Sequence, residues 1–421
     1  MKLLKAGLAI ILAHSMRLLG GLIVLKMIAV YLGPTGLGKL GHFMSLISIL
    51  SVMAGGGILN GVVKYVSEYQ NDSLKLKLFL TNATSYSLAF SFLIFVLLTI
   101  LSQEISLFFF QSADYKKLII AIGVIQFCYA FVNLYNGTIN GVMETRKYAI
   151  VLATGTVFSL LVSFFVICNF GFSGAVIALA SINASLLLPA WLICNNLKLL
   201  AAPSWKINKA ETSLLAKFTM MQVFSIATLP LAEIYIRKLI FESSGWHDAG
   251  LWQSVMRLSN VYLGLFSTFL SAYYLPRLAK ISKNQEAKTY VLRYVIGVGS
   301  VFSVMAVVTY LLSDPIFTLI YSKEFLIPKH FMYYQLIGDL FKIMSYVIGF
   351  LILARVNTKT YILAEVVQAS LYLCFSVVIF QNGMMSGLFK AYALSNALYF
   401  LFAFIVLHFI HRSNTKEACT V

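Results

Sequence analysis

Apolar positions fill twelve stretches of the chain, near 6–32, 37–63, 78–102, 117–141, 148–169, 172–195, 213–241, 249–275, 289–312, 330–354, 360–381 and 386–411. Each approaches or exceeds the roughly 20 residues that a helix needs to cross a bilayer. Short polar runs rich in Gly, Asn, Lys and Arg separate them, the usual punctuation at helix ends. The longest interruption carries Pro203 with Lys198, Lys206 and Lys209. The pattern therefore predicts an all-α polytopic membrane protein: an N-terminal six-helix bundle over 1–200, a cytoplasmic linker over 201–212 and a C-terminal six-helix bundle over 213–421.

The two halves resemble each other. "SGAVIALA" at 173–180 matches "SGLFKAYALS" at 386–395, "RKYAIV" at 146–151 matches "TKTYIL" at 358–363, and "GLG" at 36–38 matches "GLW" at 250–252. The three pairs share an offset of 212 to 214 positions. Repeats of six spans each are parallel, with a pseudo-two-fold axis along the membrane normal, and a site between the halves is the expectation.

Composition agrees. Of 421 residues, 60% are hydrophobic and 11% charged, and the mean hydropathy is +0.86; soluble domains carry about 25% charged residues. With both termini cytoplasmic, 20 Lys and Arg fall on the inside, among them Lys64, Arg146, Arg277 and Arg293. Six fall outside: Lys39, Lys116, Lys117, Lys323, Lys329 and Lys390. This positive-inside bias supports an even number of spans and accounts for most of the formal charge of +17. No nucleic acid is needed to explain it. The Met1–Lys5 start leads into a run too long for a cleaved signal peptide and reads as the first span. Five cysteines show no metal spacing, and no cofactor is expected.

One motif points elsewhere. "GPTGLGKL" at 33–40 fits seven positions of the phosphate-binding pattern G-x-x-x-x-G-K-[ST], but Leu40 has no hydroxyl for a magnesium ion. A membrane helix precedes it where a strand is required. Gly33 and Pro34 instead end the first helix, with Gly36 and Gly38 easing a turn into the second. The run Gly55-Gly56-Gly57 reads equally as a hinge or as close packing.

The informative residues are charges far from helix ends. Arg17, Arg257 and Lys342 at about 3 kcal/mol each would cost about 9 kcal/mol against lipid, so they face water, a partner or a ligand. Polar residues align at helical spacing. The eighth helix aligns Gln253, Arg257 and Asn260; the tenth aligns Gln335, Asp339 and Lys342; the eleventh carries Glu365, Gln368 and Tyr372; the fourth carries Gln126, Asn133 and Asn140. Such stripes serve either a polar interior or helix–helix adhesion. Asp339 and Lys342 can neutralise each other, as can Glu233 and Arg237. Arg237, near a helix end, snorkels or joins the site. Lys26 lies about 180° around the helix from Arg17 unless Gly20-Gly21 bends it. A cavity with several cations suits an anionic ligand, because guanidinium matches phosphate. Glu233, Asp339 and Glu365 are candidates for ion or proton coupling.

Three segments also resemble a known family: "YLGPTGLGKLGHFMSLISILSVMAGGGILNGVVKYVSEY" at 31–69, "IRKLIFESSGWHDAGLWQSVMRLSNVYL" at 236–263 and "QLIGDLFKIMSYVIGFLILARVNTKTYILAEVVQ" at 335–368. They are similar to Wzx-type polysaccharide flippases, near those of enterobacterial common antigen and O-antigen. The resemblance implies a MATE-like fold in a bacterial inner membrane; a MATE-like drug or peptidoglycan-precursor exporter shares that architecture, and a membrane glycan polymerase or ligase is disfavoured by the short outer loops. The implied activity carries an undecaprenyl-pyrophosphate-linked oligosaccharide from the cytoplasmic to the periplasmic leaflet. A polymerase and a chain-length regulator of the same pathway are the implied partners, beside membrane lipid. On this reading Arg17, Arg257 and Lys342, with Lys26 and Arg237, meet the pyrophosphate. Asn133, Asn140, Asn260, Gln335 and Gln368 meet the glycan.

Overall fold

The computed structural model describes residues 2–204, 209–279, 281, 284–354 and 358–417. Residues 205–208, at the centre of the expected linker, lie outside them. Among the described residues there is no strand. The described residues form fourteen α-helices, in order. In the first part of the chain these are α1 (Lys2–Met53), α2 (Leu59–Tyr69), α3 (Ser73–Ile100), α4 (Ser102–Phe110), α5 (Lys116–Gly141), α6 (Thr145–Ala184), α7 (Leu187–Asn196) and α8 (Lys209–Ala227). Then come α9 (Leu229–Phe269), α10 (Leu275–Ala279), α11 (Asn284–Leu311), α12 (Ser313–Ile320), α13 (Lys329–Ala354) and α14 (Thr358–Glu417). The chain forms two compact units, Met1–Pro230 and Leu231–Val421.

Four of the longest helices are pairs of legs joined at one residue of positive φ. The joints are Gly33 (φ 61), Gly171 (φ 53), Gly245 (φ 85) and Met384 (φ 46). Three are glycines because an L side chain resists this conformation. The chain doubles back at these points: Gly155 packs against Leu186, Phe241 stacks on Trp246, and Tyr372 meets Tyr392 edge-on. Divided at the joints, the helices supply the twelve expected spans. Pro34 begins its leg, where its missing N–H costs nothing. Gly36 and Gly38 lie within helix at ordinary φ, so Gly33 alone makes the turn that the sequence distributed over the cluster.

The internal repeat extends to helix lengths. Helices α3 and α11 are each 28 residues, and α5 and α13 are each 26 residues. They are displaced by 211 and 213 positions (Ser73 to Asn284, Lys116 to Lys329). The joints follow the same shift, Gly33 to Gly245 and Gly171 to Met384. The short helices α4 and α12, which hydropathy had placed in loops, are a further matched pair.

Eight segments of the described residues are long and apolar enough to cross a membrane, and Leu12–Tyr69 and Thr145–Asn196 each hold two legs. The seventh and eighth spans fall below that mark, because Glu233, Arg237, Lys238, Glu242 and Arg257 dilute their apolar content. On α11, Ile296, Val301, Val304 and Leu311 are more than 60% exposed; such a surface belongs in lipid.

In the first unit the triglycine run breaks the second leg. Gly55, Gly56 and Gly57 all have positive φ, which frees backbone groups inside the membrane, where each must find a partner. Asn133 Nδ2 donates to the carbonyls of Ser51 (2.9 Å) and Ala54 (3.4 Å). The amide of Gly55 donates to Ser91 Oγ (3.1 Å), and Thr219 Oγ1 donates to the carbonyl of Gly56 (2.5 Å). A Cβ on Gly56 would stand 2.6 Å from the Tyr86 ring. The break is closely packed.

Candidate functional site

The second unit holds a dense group of buried charges, built from α9, α13 and α14. Asp339, on α13, is fully buried. Its Oδ2 accepts hydrogen bonds from Tyr262 Oη (2.5 Å), Ser259 Oγ (2.7 Å) and Gln335 Nε2 (3.4 Å). Its Oδ1 accepts one from Tyr392 Oη (2.6 Å). Three helices thus converge on one carboxylate, and charge-assisted bonds of this kind contribute about 1.5–3 kcal/mol each. They offset the large cost of drying a carboxylate.

Lys342 lies almost one turn further along α13 and is 8% exposed. Its Nζ stands 5.5 Å from the centre of the Tyr392 ring. Among the described residues no carboxylate comes within 4.0 Å of it. Asp339, Glu233 and Glu365 act on it only through longer-range attraction.

A second group forms around the joint of α9. Arg237 is fully buried; its Nε (3.1 Å) and Nη2 (2.7 Å) both donate to Gln253 Oε1. Its guanidinium lies 5.5 Å over the Trp252 ring, a cation–π arrangement. The snorkelling alternative does not hold for Arg237, since its charge is inside. Arg257 is half-buried, and its Nε is enclosed with no hydrogen-bond partner. Glu233 is within electrostatic reach of Arg237 and Arg257, but no Glu233 ion pair forms among the described residues. Glu365 and Gln368 line a cavity of about 180 Å³ with Ser345, Tyr346, Gly349 and Tyr399.

The other sequence candidates are placed differently. Asn260 is exposed, so the eighth-helix stripe turns from buried Gln253 to the surface within two turns. Gln335 is fully buried against Asp339. In the first unit, Arg17 Nη2 donates to Asn183 Oδ1 beside His14 and Tyr148. Lys26 and Asn140 are half-buried, and Asn133 holds the triglycine break.

The repeat exposes an asymmetry. Gln126 occupies on α5 the place that Asp339 occupies on α13, ten residues from each helix start. It is neutral and donates to the Ser91 carbonyl (2.7 Å). Tyr129, at the place of Lys342, donates to the Ala180 carbonyl (2.7 Å). Charge at these positions belongs to the second unit alone. Sequence reasoning missed Ser259, Tyr262 and Tyr392; a hydroxyl on an apolar helix carries no signal until another helix brings a carboxylate to it.

The fold is that of membrane transporters. An inward-facing multidrug resistance MATE family transporter of the MOP superfamily superimposes with a TM-score of 0.74 at 15% identity, covering 95% of this chain and 96% of that one. An outward-facing structure of a MATE family transporter of that superfamily gives 0.68 at 14%. More specifically, the chain belongs to the polysaccharide biosynthesis protein family, whose model matches residues 27–327. It is 30% identical over 404 residues to the Lipid III flippase of Escherichia coli (strain K12), covering 95% of this chain and 97% of that protein. The Lipid III flippase of Shigella flexneri matches equally. These relatives are flippases and transporters, not enzymes.

Proposed function

We propose that this protein is a flippase for a lipid-linked oligosaccharide, an undecaprenyl-pyrophosphate-linked repeat unit of the O-antigen or enterobacterial common antigen type. It moves that unit from the cytoplasmic to the periplasmic leaflet of a bacterial inner membrane by alternating access, with both termini cytoplasmic. The observation that carries the reading is the near full-length likeness to a Lipid III flippase at 30% identity. The chemistry of the second unit supports it. Arg257 offers an enclosed Nε without a partner, and Lys342 a buried ammonium without an ion pair among the described residues. Both suit a diphosphate, and a guanidinium can grip two of its oxygens at once.

In this reading Arg17, Arg257 and Lys342 bind pyrophosphate, with Lys26 and Arg237 framing the approach. Asn140 and Gln368 serve the glycan, while Asn133 and Gln335 are committed to the triglycine break and to Asp339 and Asn260 faces outward. Glu233, Asp339 and Glu365 couple transport to an ion, and Asp339 does so by exchanging hydroxyl partners as its charge is balanced. Polymerase and chain-length regulator act downstream. The test is complementation: the gene is expressed in strains each lacking one defined flippase. Restoration of surface glycan in a strain deficient in lipid-linked oligosaccharide export supports the reading. Rescue only of drug resistance in an exporter-deficient strain overturns it.

A further inference from the structure

The second unit carries a surface site of a different kind. A groove of about 610 Å³ is lined by Leu265, Phe266 and Phe269 of α9 and by Val298 and Val301 of α11. At one end stands Arg293, which also lines an adjoining hollow of about 340 Å³ with Gln285, Glu286, Thr289 and Tyr290. The groove is apolar and the hollow is polar, and Arg293 is their shared wall.

The polar end is built for an anion. The guanidinium of Arg277 approaches the hydroxyls of Tyr290 and Tyr294. The Tyr290 hydroxyl is enclosed beside Arg277 and Tyr294. Arg293 lines the hollow with Glu286, and Arg277 adds a second guanidinium beside Tyr290. The groove has the length of one lipid chain. From Arg293 to Val301, eight residues of helix rise about 12 Å, close to the depth of one leaflet of a hydrocarbon core about 30 Å thick. Gly264 and Gly297 border open space, which leaves room for a chain between the helices. Leu265 and Phe269 are 46% exposed and Val301 is 62% exposed, so lipid reaches the groove directly.

We infer that this surface binds one anionic glycerophospholipid, with an acyl chain in the groove and its phosphate at Arg293 and the Tyr290 hydroxyl. Basic hollows between membrane helices recognise anionic headgroups in this manner.

The experiment uses the purified full-length protein in detergent, titrated with deuterated phosphatidylglycerol and read by native mass spectrometry. The wild type retains one phosphatidylglycerol through delipidation, and phosphatidylcholine binds at least tenfold more weakly. Inorganic phosphate in excess does not displace the lipid, because the chain contributes to binding. Arg293→Gln removes the charge. Gly297→Phe fills the groove at a position where a side chain meets nothing within 4 Å. Each variant lowers affinity at least tenfold, whereas Val308→Phe, 49% exposed outside the groove, leaves it unchanged. Absence of retained lipid, equal retention of phosphatidylcholine, displacement by phosphate, or unchanged binding by both variants overturns the assignment.

Discussion

Replacing Asp339 with Asn keeps the shape of the buried cluster but removes its charge and half of its accepting capacity. The carboxylate receives Ser259 and Tyr262 on Oδ2 and Tyr392 on Oδ1. An amide nitrogen accepts nothing, so one side must face hydroxyls with N–H groups. Turning the nitrogen toward Tyr392 is the cheaper choice: the phenol oxygen can accept its N–H, and one hydroxyl proton rather than two loses its acceptor. A buried group left unsatisfied costs about 1–3 kcal/mol, and the two surviving bonds lose charge assistance worth about 1 kcal/mol each. Relief from burying a carboxylate offsets part of this. The net loss is about 3 kcal/mol, or about 6–12 °C for a cooperative unit of this size. Tyr392→Phe alone costs about 1.5–3 kcal/mol, one charge-assisted bond. In the Asp339→Asn background, however, the same change removes the stranded hydroxyl and becomes neutral or stabilising. The double-mutant cycle on thermal unfolding of the purified protein therefore shows a coupling of about 2 kcal/mol. Additive losses would refute the geometry of the cluster.

Five further outcomes follow from other parts of the molecule. Arg237→Ala lowers the unfolding temperature, because it removes two donors to Gln253 Oε1 and empties the space beside the Trp252 ring; Arg257→Ala spares stability while abolishing glycan export, separable by thermal unfolding and a surface-glycan assay. Gly56→Ala destabilises by about 2 kcal/mol or more, since it meets both a φ of 84° and the Tyr86 ring, and the same unfolding scan detects it. Met384→Gly stabilises by about 1 kcal/mol, relieving a non-glycine residue at φ 46 and ψ −129; a lowered midpoint would contradict this. Asp72 caps α3 by accepting from the Lys75 amide (3.0 Å), which holds its carboxyl below the usual range. Because the folded value is depressed, the cap stabilises above the unfolded value and is lost as pH falls through the folded one. Protection of the Leu74 and Lys75 amides against exchange, relative to their intrinsic rates, therefore falls below about pH 4.

Much of this organisation was legible in the sequence, for identifiable reasons. Crossing a bilayer demands long apolar runs, so the spans stood out even where Gly33 and Gly171 join two of them without a loop. The repeat was visible in three short fragments because the joints and helix ends they flank are copied at the same shift. Helices α4 and α12 were not visible, since eight or nine residues are too few to establish a period. The Gln335–Asp339–Lys342 stripe was legible as a polar face, but not that Tyr262 and Tyr392 arrive from separate helices to satisfy it. Nor did the stripe on α9 reveal where it leaves the interior, between Arg257 and Asn260. The seventh span was read as one helix over 213–241, whereas the chain bends at Thr228 before Pro230, a break that proline permits but does not dictate.

The most direct measurement is transbilayer movement of a fluorescent polyprenyl-pyrophosphate saccharide in vesicles containing only this purified protein. The account predicts that label added to one leaflet reaches the other with wild-type protein and is arrested by Arg257→Ala or Lys342→Ala at unchanged protein stability. Movement at the wild-type rate in both variants, or none with the wild type under any imposed proton or sodium gradient, would contradict it.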